Sequence, residues 1–389
     1  MEVWGDNFMK FLLINYEYPP IGAGAATATQ AIASNLVELG HHVTVLTARY
    51  RDLPKSTMEN GVLVRRVNCL RRHADRCSLL EMASFVISAI CSLGSVVKTD
   101  RPDASITFFS IPCGPIALAA KALFGLPYVI SLRGGDVPGL TPEVSRIHHI
   151  LRPLRHAVLK HAVAIVANAD GLRRLAETSD SFRVSVIPNG VDTEFFRPST
   201  ESAQSNHPFR IVFTGRFQVQ KNVSMLLEQC AALHQHSETP FELHLVGDGP
   251  LRIELQEQAD RLGLSDQITW HGWTPREQLR SIYQASHCFV NPSSYEGMPN
   301  AVLEAMACGK PIIASSVAGN DDVVQHGTTG FLFPLEEPAS LGQSIRAMID
   351  DPAGAEAMGR NGRDWAKRDF SWHRVATAYA ELFGRSQPA

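Results

Sequence analysis

Short apolar, β-branched runs alternate with helix-period segments from one end of this chain to the other. The first run, Lys10 to Asn15, ends in Tyr-Glu-Tyr-Pro-Pro and the small-residue stretch IGAGAATAT, followed by apolar residues at helical spacing (Ile32, Leu36, Leu39) closed by Gly40. HHVTVLTA, GVLVRRV, the run from Ala104 to Phe109, LPYVISL and AVAIVAN continue the pattern. Strands separated by helices require crossover connections, so each pair reads as a βαβ unit of a parallel sheet. The polar stretch RPSTESAQSNHP, Arg197 to Pro208, interrupts the pattern and reads as a linker. FRIVFTGR, FELHLVGDG, QITWHGW, HCFVNPS, KPIIASS and TGFLFP then restart it. The expected fold is α/β: two tandem Rossmann-like, doubly wound domains, residues 1–196 and 209–368, facing a central cleft at the carboxyl ends of their strands. An amphipathic segment, FSWHRVATAYAELF, fills most of residues 369–389 and is expected to return to the first domain.

At 389 residues the chain is long enough for two such cores, and 44% hydrophobic with 19% charged residues excludes a disordered chain. The net charge of -3 gives no reason to expect nucleic acid as a partner, but it hides an asymmetry. Residues 1–190 carry 20 Lys+Arg against 15 Asp+Glu, and residues 191–389 carry 16 against 24. Seven cysteines form no Cys-x-x-Cys pair, so a zinc site and a disulfide framework are not expected and a reduced, cytoplasmic setting is. The start lacks a basic region before a long apolar core, which argues against a signal peptide. Leu79 to Val97 is apolar enough to raise the question of a membrane span, but Glu81, four serines and Gly94 favour a packed helix.

The most informative segment is YEGMPNAVLEAMACGKP, Tyr295 to Pro311. Pro299 suits a helix start, where a missing N–H costs little, and free amides around Gly297, Met298 and Asn300 suit an anion or a polyhydroxyl group. Glu296 in the loop and Glu304 on the helix are two carboxylates able to accept hydroxyl protons. FTGRFQVQKNV places Arg216 and Lys221 after a strand end, two cations suited to a diphosphate leaving group. In VGDGPLR, Gly247, Asp248 and Gly249 mark either a close backbone approach or a tight turn.

With Glu296 and Glu304 separated by seven residues inside EGMPNAVLEAMACGKPIIAS, the chain resembles the retaining glycosyltransferases of family 4, which have the GT-B fold. The resemblance implies that Glu296 and Gly297 to Asn300 hold the donor sugar and Glu304 the ribose of a nucleotide-diphosphate sugar. It implies that Arg216 and Lys221 hold the diphosphate, that Gly247 to Gly249 line the donor site, and that two glycines after the first strand approach the donor phosphate. Those two positions are Ala23 and Gly24 here, so one glycine is replaced. Many members have a histidine where SLRGGDVPG has Arg133; an arginine is no base, but it can hold a phosphate or carboxylate, or brace the loop by pairing with Asp136. Both are assigned to the acceptor side. No Asp-x-Asp triplet occurs, so transfer without metal or other cofactor is expected. The run RIHHILRPLRHAVLKHA, with Arg146, Arg152, Arg155 and Lys160, is either a solvated helical face or a contact for anionic lipid on the inner membrane face. The acceptor stays open between a sugar, a lipid-linked and a small molecule. A sugar-nucleotide epimerase and an inactive glycan- or nucleotide-binding subunit are the alternatives; a dehydrogenase is disfavoured because no Gly-x-Gly-x-x-Gly follows the first strand.

Overall fold

A computed structural model describes residues 8–22, 24–74, 76–140, 145–199, 208–236 and 240–384. The chain divides into two compact units, Met1–Gly190 together with Trp372–Ala389, and Val191–Ser371. Within the first unit lie β1 (Lys10–Ile14), α1 (Gly24–Glu38), β2 (His42–Ala48), β3 (Ser56–Glu59), β4 (Val62–Val67), α2 (Leu79–Asp100), β5 (Ala104–Phe108), α3 (Gly114–Phe124), β6 (Tyr128–Leu132), α4 (Ser145–Lys160), β7 (Ala164–Ala167), α5 (Asp170–Ser179) and β8 (Ser185–Val186). The sheet order is β3-β4-β2-β1-β5-β6-β7-β8, parallel except where β3 pairs antiparallel with β4. Every residue of β5 and β6 is buried, as the central strands of a parallel sheet covered on two faces must be.

The segment questioned as a membrane span is α2, whose Glu81, Phe85, Ala89, Leu93 and Val96 are buried within the unit while Leu80 and Ile87 are exposed. The acidic residue of its first turn, Glu81, has a structural task. Ser78 Oγ accepts from Glu81 N, the Glu81 carboxylate accepts from Ser78 N at 2.6 Å, and its second oxygen accepts from Arg72 N at 2.7 Å. This capping box satisfies amides that the first turn leaves without intrahelical partners and holds the Glu81 carboxyl down at about 2.

The second unit contains β9 (Phe209–Thr214), α6 (Val223–His236), β10 (Phe241–Val246), α7 (Arg252–Arg261), β11 (Ile268–Gly272), α8 (Arg276–Ala285), β12 (Cys288–Asn291), α9 (Asn300–Ala307), β13 (Ile312–Ser315), β14 (Gly330–Phe333), α10 (Ala339–Asp350) and α11 (Pro352–Asp369). Its sheet is wholly parallel, in the order β11-β10-β9-β12-β13-β14. From β9 the chain proceeds to β10 on one side and later to β12 on the other, so the loops leaving these strands diverge at a topological switch point. The last helix, α12 (Trp372–Gly384), belongs to the first unit: Trp372, Val375, Ala376, Tyr379 and Phe383 share a core with Phe11, Leu13, Ile32 and Leu36. The first unit thus ends at Gly190 where the sequence suggested 196, because α12 completes its core. Most of the expected linker, residues 200–207, lies outside the described residues.

Candidate active site

In the second unit, β9 delivers Gly215 and Arg216, and a short 3-10 turn, Val219–Lys221, brings Lys221 back beside the loop that follows β12. Lys221 Nζ lies 2.5 Å from Glu296 Oε1. Ser293 Oγ donates to the same oxygen at 2.7 Å and Asn291 Nδ2 approaches it at 3.5 Å, while Oε2 has no partner among the described residues. Glu296 is only 6% exposed, and such a buried carboxylate persists only when charge and hydrogen bonds compensate it. The donors are themselves held: Asn291 Nδ2 also donates to Asn320 Oδ1 at 2.9 Å, Asn320 Nδ2 to Ser315 O at 3.0 Å, and Ser315 Oγ to Ser293 O at 2.5 Å. All four are buried. Sequence reasoning missed this network, although its signal was present as polar residues closing two otherwise apolar strands, CFVNPS and PIIASS.

Pro299 precedes α9 as its N-cap, one position before the first helical turn expected for it. Glu304, on α9, accepts from Tyr283 Oη at 3.1 Å. Burial pushes the Glu304 carboxyl up to about 7, against the pull of the Tyr283 hydrogen bond and of Arg276. Tyr283, fully buried on α8, is a second residue that sequence reasoning missed.

The glycines of Val246 to Arg252 serve a backbone approach. Gly247 has φ +129°, and a Cβ there would lie 2.0 Å from Gly215 O; at Gly249 it would lie 2.4 Å from Phe217 O. Both glycines therefore let the loop after β10 pack on the loop carrying Arg216. Asp248 is exposed, accepts from Gly249 N at 2.7 Å and lies 3.6 Å from Arg252. Gly319 does the same for the loop after β12, since a Cβ there would meet Gly297 O at 2.1 Å. Met298 is 8% exposed, and Arg216 and Asn300 are half-buried.

In the first unit Gly24 opens α1 and is exposed, while Ala23 lies outside the described residues. Arg133 and Asp136 follow β6, but the brace considered for them takes another form. Asp136 Oδ1 accepts from the main-chain N–H of Arg133 at 2.9 Å, and the guanidinium bonds to Asn189 and Tyr379. The basic run forms α4, and one member has to be withdrawn from any lipid contact: Arg155 is 1% exposed and pairs with Asp180 at 2.7 Å. Arg152 and Lys160 remain exposed. Among the described residues no three His, Cys, Asp or Glu side chains gather as a metal site.

Two parallel-sheet units with helices on their faces, each with charged loops at the carboxyl ends of its strands, define a GT-B architecture. A family model described as "Glycosyl transferase 4-like domain" matches residues 23–190 and one described as "Glycosyl transferases group 1" matches residues 197–365. The chain belongs to the GT-B glycosyltransferases of family 4. It is 28% identical to the D-inositol 3-phosphate glycosyltransferase of Thermobispora bispora, over 90% of this chain and 87% of that one. In fold it is similar to sucrose-phosphate synthase from Thermosynechococcus elongatus (TM-score 0.83, 22% identity, covering 97% and 98% of the two chains). It is likewise similar to Anabaena HepE, solved in complex with UDP-glucose (TM-score 0.77, 19% identity, covering 97% and 100%).

Proposed function

We propose that this glycosyltransferase moves a hexosyl group from a nucleotide-diphosphate sugar to an acceptor hydroxyl with retention of anomeric configuration and without a metal or other cofactor. The observation that carries the reading is the Lys221–Glu296 pair at the ends of β9 and β12, with Glu304 on the helix that follows. Lysine has three N–H donors and spends one on Glu296, so two remain for diphosphate oxygens. Arg216, from the same loop, adds a second cation. Glu296 Oε2, which has no partner among the described residues, accepts from a donor sugar hydroxyl, and Gly297 to Asn300 border that sugar. Glu304 accepts from the ribose hydroxyls. Gly24 and Gly247 to Gly249 complete the donor side, and Arg133 and Asp136 stand on the acceptor side.

The sequence offers no obvious carboxylate nucleophile, and in this reading Glu296 is committed to Lys221, Ser293 and a sugar hydroxyl. We therefore assign a front-face displacement. The bond between the anomeric carbon and the diphosphate oxygen breaks while the acceptor oxygen bonds to the same face, and the acceptor proton passes to the departing phosphate oxygen. Arg216 and Lys221 stabilise the charge that develops there, which preorganised cations do without a metal.

A panel of UDP-, ADP- and GDP-hexoses, with UDP-glucose first because HepE was solved with it, tests the reading. Release of nucleoside diphosphate and, by NMR, a product of the donor's own anomeric configuration are expected; an inverted product excludes the mechanism. Peripheral membrane contact is proposed from α4, where Ile150, 75% exposed, stands near exposed Arg152. Vesicles containing anionic lipid should sediment the protein at low salt, and Arg152→Ser with Lys160→Ser should weaken this by roughly 1 kcal/mol per basic residue. Indifference of the wild type to anionic vesicles removes the proposal.

A further inference from the structure

Two arginines and two aspartates surround the loop after β6, and they do not pair off evenly. Arg155 is matched with Asp180 at 2.7 Å and also donates to Ser110 Oγ and to Asp136 O. Asp136 spends Oδ2 on Ser110 N (2.7 Å) and Ser110 Oγ (3.0 Å), and Oδ1 on the main-chain N–H of Arg133. The Arg133 guanidinium is left with neutral company. Nη1 donates to Asn189 Oδ1 at 2.5 Å, Nη2 to Tyr379 Oη at 3.3 Å, and the group lies 4.7 Å over the Phe108 ring. Its Nε is buried and has no hydrogen-bond partner among the described residues. Burial pulls the guanidinium pKa below its ordinary value, opposed by Tyr379 and Asp136.

The adjoining backbone offers the same kind of unused donor. Gly134 has φ +117°, and the N–H groups of Gly134 and Gly135 bond to no atom of the described residues. A Cβ at Gly135 would meet nothing within 4 Å, so space lies open beside them. Consecutive free amides next to a fixed cation suit an oxyanion. We propose that Arg133, with the Gly134 and Gly135 amides, forms an oxyanion site that receives a phosphate or carboxylate carried by the acceptor. The proposal rests on the acceptor-side reading of the first unit. The acceptor is chosen over the donor because the second unit supplies the donor diphosphate with its own cations, Arg216 and Lys221.

The test titrates inorganic phosphate, and in parallel glucose 1-phosphate and glucose, into the full chain at constant ionic strength with UDP saturating. Phosphate and glucose 1-phosphate are expected to bind, glucose far more weakly. Arg133→Gln should weaken phosphate binding about tenfold or more, the consequence of losing ~1.4 kcal/mol, while Arg133→Lys keeps part of it and both retain wild-type affinity for UDP. Should Arg133→Gln fail to fold, Gly135→Asp puts a negative charge into the open space and should abolish phosphate binding in a folded chain. Phosphate binding no better than chloride, or unchanged binding in Arg133→Gln, overturns the proposal. A loss of UDP affinity in Arg133→Gln also overturns it by placing the guanidinium on the donor. Phosphate binding lost with Arg133 in a chain that hydrolyses no sugar nucleotide leaves the oxyanion site standing and removes the donor reading instead.

Discussion

Because burial raises Glu304 to about 7, this side chain is protonated below that pH and ionised above it. A carboxylate accepts from both ribose hydroxyls; a neutral carboxyl has one oxygen committed as a donor. Affinity for the nucleoside diphosphate should therefore rise as pH increases through about 7 and then level off, with Glu304→Gln abolishing the rise. The Tyr283 hydroxyl donates to Glu304 Oε2 and so favours the ionised form. Tyr283→Phe should move the midpoint upward and weaken binding at pH 7 by roughly two- to tenfold, the worth of one hydrogen bond. Calorimetry with UDP at several pH values measures both effects, and a midpoint unmoved in Tyr283→Phe would separate the tyrosine from the carboxyl. Tyr283 was invisible in the sequence because a buried tyrosine on an amphipathic helix looks like any core residue until its hydroxyl is seen to have a partner. Glu296 and Glu304 were legible because carboxylates in an otherwise apolar segment need a reason.

At the scale of elements, the strand and helix alternation was readable because parallel strands need helical crossovers, and every strand expected after residue 208 is present as β9 to β14. β3 escaped notice since STME is short and polar, though the Asn60-Gly61 turn beside it, with φ of +48° and +79°, is a hairpin signal. The glycines of VGDGPLR were ambiguous for a different reason. Sequence marks where a glycine stands but not which backbone comes close, and here it is the loop carrying Arg216 that does. Gly247→Ala combines a left-handed backbone position with a Cβ only 2.0 Å from Gly215 O. It should cost at least ~1 to 3 kcal/mol and displace Arg216's loop, lowering Tm and UDP affinity together. A calorimetric scan with an unchanged Tm would show that the loops have room.

In the whole molecule the two units divide both charge and structure. The excess of basic residues before residue 190 and of acidic residues after it was countable from the sequence; that Arg155 is consumed by Asp180 was not, since burial depends on which face of α4 meets the sheet. Nor did spacing reveal that α12, distant in sequence, supplies Tyr379 to Arg133. The C-terminal helix is thereby part of the first unit's loop chemistry as well as of its core, while Lys221, Glu296 and Glu304 all lie in the second unit. The central claim is that Lys221, paired with Glu296, stabilises the departing diphosphate of a sugar nucleotide. Single-turnover hydrolysis of the preferred sugar nucleotide by the full chain and by Lys221→Ala measures it most directly. The rate should fall roughly 10²- to 10³-fold in the variant, with excess EDTA leaving the wild type unaffected. Wild-type turnover by Lys221→Ala would contradict the assignment.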